Sequence, residues 1–108
     1  MKRTIPPKEL KELLSRKNNI IILDVRRKTD LESFHYAIPG AEWRDPEAVD
    51  EWGVDLPGGR EVVIYCARGG PVSNRVLDHL RDKKISARYI EGGIAAWKAA
   101  GGTTEYRK

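Results

Sequence analysis

An α/β domain built on a mainly parallel sheet is what this sequence predicts, and three observations predict it. The short apolar runs Ile20-Ile21-Ile22-Leu23 and Val62-Val63-Ile64-Tyr65 are continuous rather than alternating, as in strands covered on both faces. Segments with helical spacing separate the runs, so strand and helix alternate along the chain. Asp24-Val25-Arg26 and Cys66-Ala67-Arg68 each follow a run directly. Ligands in such sheets bind beyond the carboxyl ends of the strands, so the two segments are expected to face each other across one crevice.

Taken in order, Thr4-Ile5 is a short candidate strand. Pro7 to Lys17 reads as a helix, with proline in the tolerated first turn and Leu10, Leu13 and Leu14 on one face. After the Ile20–Leu23 strand, Thr29 to His35 forms a second helix, with Thr29 or Asp30 available as its cap and Leu31 and Phe34 facing inward. Ala41-Glu42-Trp43 is another short strand, and Asp45 is placed to cap a helix over Pro46 to Trp52. The Val62–Tyr65 strand leads into a helix over Pro71 to Lys83, whose stripe is Val72, Val76, Leu77 and Leu80. Ala87-Arg88-Tyr89-Ile90 is a strand. The helix from Gly93 to Ala100 carries Ile94 and Trp97 inward and stops at Gly101-Gly102. Trp97 belongs to the core, and Trp43 and Trp52 pack under loops.

With 108 residues, 40% of them hydrophobic and 33% charged, the chain has the composition of one folded domain with a modest core. No apolar run approaches the roughly 18 residues that span a bilayer, and Met1 to Pro7 lacks the apolar stretch of a secretory leader. A cytoplasmic location without membrane attachment is expected. The net charge of +4 is dispersed and has no basic stripe interleaved with aromatics, which argues against nucleic acid and favours small anions. The sole cysteine, with His35 and His79 distant in sequence, offers no metal-ligand spacing, so neither a metal nor another cofactor is expected.

That cysteine, Cys66, carries the functional reading. It ends a strand and opens Cys66-Ala67-Arg68-Gly69-Gly70-Pro71-Val72-Ser73, with a helix to follow. Backbone amides of such a turn converge on an anion, and the positive end of the helix dipole adds to them. Both favour thiolate over thiol, and the thiolate is the nucleophile. A buried core cysteine is the plainer alternative, but a core position has no need of an arginine and two glycines behind it.

Four segments in this order around one cysteine resemble the single-domain rhodanese (sulfurtransferase) family from about Thr4 to Gly101. They are Asp24-Val25-Arg26, Ile38-Pro39-Gly40-Ala41, Val62-Val63-Ile64-Tyr65-Cys66, and Glu91-Gly92-Gly93-Ile94-Ala95-Ala96-Trp97. The resemblance implies a single rhodanese-like domain over residues 1–108, with a five-stranded, mostly parallel sheet, helices on both faces and a persulfide formed on Cys66. Departures are also visible. Tyr36-Ala37 stand where the family often has Gly-His, so no family role passes to His35. The loop from Cys66 to Val72 is one residue longer than usual. A loop of that length resembles those of rhodanese-related phosphatases and arsenate reductases, but Val72 occupies the place of their oxyanion-clamping arginine. The Arg-Gly-Gly order is also similar to the rhodanese domain of tRNA selenouridine synthases.

The expected reaction moves sulfane sulfur from thiosulfate or a related donor, through the Cys66 persulfide, to cyanide or to a small or protein thiol. Amides of Ala67, Arg68, Gly69, Gly70 and Val72 are expected to solvate the bound sulfur, with Gly69 and Gly70 turning inward freely. Arg68 projects to hold the donor's sulfonate, or is a solvated surface arginine. Ser73 caps the helix or donates into the loop. Asp24 is expected to bond backbone at the strand end, and Arg26 to pair with an acid or face the anion. Arg44 is a candidate for the same positive rim, whereas Arg75 and His79 read as surface residues. A sulfur carrier without turnover is the rival from another class, and a phosphatase or arsenate reductase the rival enzyme.

Overall fold

The computed structural model describes residues 2–16, 19–56 and 59–107. Five strands form one sheet: β1 (Thr4–Ile5), β2 (Ile21–Asp24), β4 (Glu42–Trp43), β5 (Val62–Tyr65) and β6 (Ala87–Ile90), in the order β1-β6-β5-β2-β4. Every pairing in it is parallel. The helices are α1 (Pro7–Arg16), α2 (Lys28–Ser33), α3 (Val49–Trp52), α4 (Pro71–Asp82) and α5 (Gly93–Ala99). The expected end of α1 at Lys17 lies outside the described residues.

Alternate residues of the central strand serve two cores, which is why its sequence is apolar throughout. Val63 and Tyr65 pack with Leu10, Ile94 and Trp97 on the α1/α5 face. Val62 and Ile64 pack with Val49, Val76, Leu77 and Leu80 on the α3/α4 face. Helices therefore cover both faces. The sheet's carboxyl edge remains for the loops after β2 and β5, which stand side by side because Asp24 pairs with Tyr65 in register.

Two short strands of a separate ribbon were not foreseen: β3 (Tyr36–Ala37) pairs antiparallel with β7 (Glu105–Tyr106). The ribbon returns the end of the chain to the crevice wall, where the Arg107 amide donates to His35 O at 2.6 Å. Local details also differ. Arg27, not Thr29 or Asp30, occupies the cap position of α2 and makes no side-chain cap bond. Asp45 caps as expected, accepting from the Glu47 amide at 2.9 Å, but the segment it caps is 3₁₀ over Pro46–Ala48 before α3 begins. No helix among the described residues is long and apolar enough to cross a membrane.

Candidate active site

Cys66 is the first residue after β5 and is buried, 5% exposed as a residue. Its Sγ accepts the Gly69 N–H at 3.2 Å, a contact made possible by Gly69 turning at φ +68°. Gly70 is the N-cap of α4, and its carbonyl accepts from both the Asn74 amide (3.2 Å) and Asn74 Nδ2 (3.3 Å). Pro71 then opens the helix at a position whose missing N–H is not needed. The sequence predicts a full ring of loop amides around the sulfur. Among the described residues, Gly69 alone donates to it.

The floor of the loop comes from the start of α5. Ile94 N donates to Cys66 O at 3.0 Å and Ala95 N to Ala67 O at 3.2 Å, so two amides of a helix N-terminus fix the backbone of the nucleophile. This approach demands glycine: a Cβ on Gly93 (φ +65°) would lie 2.5 Å from Cys66 O, and one on Gly69 would lie 2.7 Å from Gly92 N. From the sequence, Gly92-Gly93 marks only a tight helix entry. Its larger role is to let one loop rest on another, and the adjacent glycines just after a strand were the available signal.

On the neighbouring strand end, Asp24 and Arg26 form a buried ion pair with Nη2–Oδ2 at 2.6 Å and side chains 3% and 2% exposed. Asp24 Oδ1 also accepts the Arg26 amide at 3.0 Å, the backbone bond expected of it. The remaining Arg26 donors go to Phe34 O (3.1 Å) and Tyr36 O (2.9 Å). Tyr65 completes the network, donating to Asp24 Oδ2 at 3.2 Å and accepting from the Ile38 amide at 3.3 Å. Burial disfavours the Arg26 charge, but the hydrogen bonds and negative charge of Asp24 outweigh it and hold the guanidinium above its ordinary value. Burial first, and Asp24 second, push the Tyr65 phenol well up.

Arg26 as a substrate-binding residue is therefore corrected. Every nitrogen of its guanidinium donates inside the fold and the side chain is 2% exposed, so its charge is spent on Asp24 and two carbonyls rather than offered to an anion. Ser73 is corrected as well. It lies within α4 rather than at its cap, fully buried, and its hydroxyl has no hydrogen-bond partner in the structure. Val72 is buried beside it on the inward stripe.

Arg68 is exposed, without an ion pair or hydrogen bond among the described residues. With Ala67 it lines a cleft of about 430 Å³ between the loop, α2 and α5. Arg44 lies elsewhere, paired with Glu42 at 2.8 Å beside Trp52 and Arg60, and does not join this rim. His79 stands 3.2 Å from Asp50 on the surface, and Arg75 is exposed near it. Trp97 is in the core, while Trp43 and Trp52 are half-buried and donate to Arg26 O (2.9 Å) and Asp45 O (2.7 Å). The described residues contain no cluster of His, Cys, Asp or Glu arranged to hold a metal.

Comparison with known proteins agrees with this geometry. The "Probable adenylyltransferase/sulfurtransferase MoeZ" of Mycobacterium tuberculosis is 28% identical over 96 residues, 87% of this chain and 24% of the relative. The chain thus spans about a quarter of the curated relatives it matches. A rhodanese-like domain protein from Staphylococcus aureus superposes with a TM-score of 0.81 and 28% identity, covering 99% of this chain and all of the other. A thiosulfate sulfurtransferase from Pseudomonas aeruginosa shares the fold, with a TM-score of 0.76 and 23% identity, covering 99% of this chain and 20% of that one. The Rhodanese-like domain profile matches residues 6–100, and with the loop, its sulfur and its glycine floor in place, the chain belongs to the rhodanese-like domain family.

Proposed function

We propose that the protein is a sulfurtransferase that carries sulfane sulfur on Cys66. The observation that carries the reading is the placement of the sole cysteine: its Sγ sits at the end of β5, accepts the Gly69 N–H at 3.2 Å and lies in the loop that opens α4. The Gly69 amide and the start of α4 can stabilise the negative outer sulfur of a Cys66 persulfide. The distant relative whose name includes a sulfurtransferase supports the same class.

In the loading half-reaction, the Cys66 thiolate attacks the outer sulfur of thiosulfate. The donor's S–S bond breaks, and sulfite leaves with the electron pair. In the discharging half-reaction, a thiolate or cyanide attacks the outer sulfur of Cys66–S–S⁻, and Cys66 returns as the leaving thiolate. The 108 residues contain no second cysteine, so no thiol within them takes the sulfur; the acceptor classes are a small thiol, a protein thiol or cyanide. The step uses no metal or organic cofactor, and a reducing compartment such as the cytoplasm suits a lone reactive thiol.

Thiocyanate production from thiosulfate and cyanide tests the proposal. Activity in the native protein and its loss in Cys66→Ser is the expected result, and turnover that survives the substitution would end the assignment. Loading by thiosulfate with negligible turnover would instead identify a sulfur carrier. Cysteine-dependent hydrolysis of an aryl phosphate would favour the phosphatase reading, against which stands Val72, buried and uncharged at the loop's end.

A further inference from the structure

The short helix α2 sends different residues into two cavities. Asp30 and Ser33 line the cleft beside Ala67 and Arg68, whereas Lys28, Leu31 and Glu32 line another of about 380 Å³. Trp43 at the end of β4 and Arg107 after β7 share this second cavity, and no residue of the sulfur loop reaches it. Its volume falls within the roughly 300–1,000 Å³ range of small-molecule sites. Its walls are apolar and only half covered. Leu31, Phe34 and Trp43 are half-buried, and Leu31 and Trp43 belong to neither of the two cores. No residue of α2 is fully buried. The helix therefore turns its one large apolar side chain, Leu31, into the cavity instead of the core.

Most of the charges around this cavity already have partners. Asp24 and Arg26 reach it but answer each other at 2.6 Å. Arg107 pairs with Glu105 at 3.5 Å and donates to Ala41 O at 2.6 Å. The His35 ring lies against Tyr106, with centroids 6.0 Å apart. Lys28 and Glu32 are different. Both are exposed, they are opposite in sign, and neither has an ion pair among the described residues. They stand one helical turn apart without pairing with each other, and lysine ahead of glutamate is the less favourable order for such a pair. One unmatched cation and one unmatched carboxylate therefore flank a cavity whose walls include two aromatic rings.

We propose that this cavity is a binding site for a free amino acid with an aromatic side chain. The complementarity is specific to that class: a small zwitterion meets both unmatched charges, and its ring meets the apolar walls. The ligand carboxylate pairs with the Lys28 ammonium and the ligand ammonium with the Glu32 carboxylate. The ring lies among Leu31, Phe34 and Trp43, where offset or edge-to-face contacts with the two aromatic side chains add to the area buried. The assignment does not depend on the sulfur-transfer reading, because the cavity and the loop of Cys66 have no lining residue in common.

Trp43 supplies the reporter for the test. Its indole N–H donates to Arg26 O at 2.9 Å in the cavity wall, and its NMR signal in isotope-labelled protein is identified by its absence from Trp43→Phe. L-phenylalanine is expected to move that signal saturably while those of Trp52 and Trp97 stay in place. Hydrocinnamate lacks the ammonium and phenethylamine lacks the carboxylate. Each is expected to bind about three- to fivefold more weakly, the scale of one exposed charge pair. Lys28→Gln is expected to remove the discrimination against phenethylamine, and Glu32→Gln the discrimination against hydrocinnamate. Both substitutions fall at exposed positions that the fold does not use. No saturable shift with L-phenylalanine, equal binding of the three compounds, or discrimination that survives both substitutions would overturn the site.

Discussion

Asp24-Val25-Arg26 and Cys66-Ala67-Arg68 leave neighbouring strands at the same edge of the sheet, each ending in arginine two residues after a reactive or ionisable side chain. The fold treats them in opposite ways. Asp24 and Arg26 are buried and bonded to each other, to Tyr65 and to the carbonyls of Phe34 and Tyr36. In the second segment the backbone is fixed, by Ile94 and Ala95 donating to Cys66 O and Ala67 O, while the Arg68 side chain is exposed and has no partner among the described residues. One strand end is rigid through its side chains. The other is rigid through its main chain, and the Arg68 side chain takes no part in holding it.

Variants can break each half of this contrast. Asp24→Ala is expected to have the largest effect on stability, because it strands a buried guanidinium: about 3–5 kcal/mol in denaturant unfolding. A loss below about 1 kcal/mol would show that the corner is not held by the pair. Gly93→Ala attacks the other half. It places a Cβ 2.5 Å from Cys66 O at a residue with φ +65°, and is expected to cost about 3 kcal/mol and to lower sulfur transfer by shifting the loop. The same substitution at Gly70, where a Cβ meets nothing within 4 Å, is the control.

Tyr65→Phe is milder. It takes a donor from Asp24 and an acceptor from the Ile38 amide, for a loss of about 1–3 kcal/mol. It also has a pH signature. The folded phenol titrates above its ordinary value of 10.0, so the unfolded chain releases this proton first. The contribution is fully present below pH 10.0 and is lost as pH rises above it, at up to about 1.4 kcal/mol per pH unit. Unfolding measured across that range should show a shallower alkaline decline in Tyr65→Phe. The smallest stability effect belongs to Arg68→Ala, within about 0.5 kcal/mol, because nothing in the fold leans on that side chain. A large loss there would erase the contrast between the two arginines.

The five parallel strands and the site's position were legible in the sequence because continuous apolar runs and strand-end motifs are local patterns. Val62 to Tyr65 shows this best: four apolar residues shared between two cores, directly before the cysteine. The β3–β7 ribbon was not legible, since Tyr36-Ala37 and Glu105-Tyr106 are two-residue strands without an apolar run and are far apart in the chain. Arg26 and Arg68 look alike as letters. Only the fold shows which one meets two carbonyls and a carboxylate. Ser73 follows the same rule: the inward stripe of Val76, Leu77 and Leu80 takes it into the core, whatever its capping propensity.

The most direct test of sulfur transfer through Cys66 is intact mass spectrometry of the native protein and Cys66→Ser after exposure to thiosulfate. The account predicts a gain of one sulfur atom on the native chain, removed by cyanide, and no gain on the variant. An unchanged native mass, or the same gain on Cys66→Ser, would contradict it.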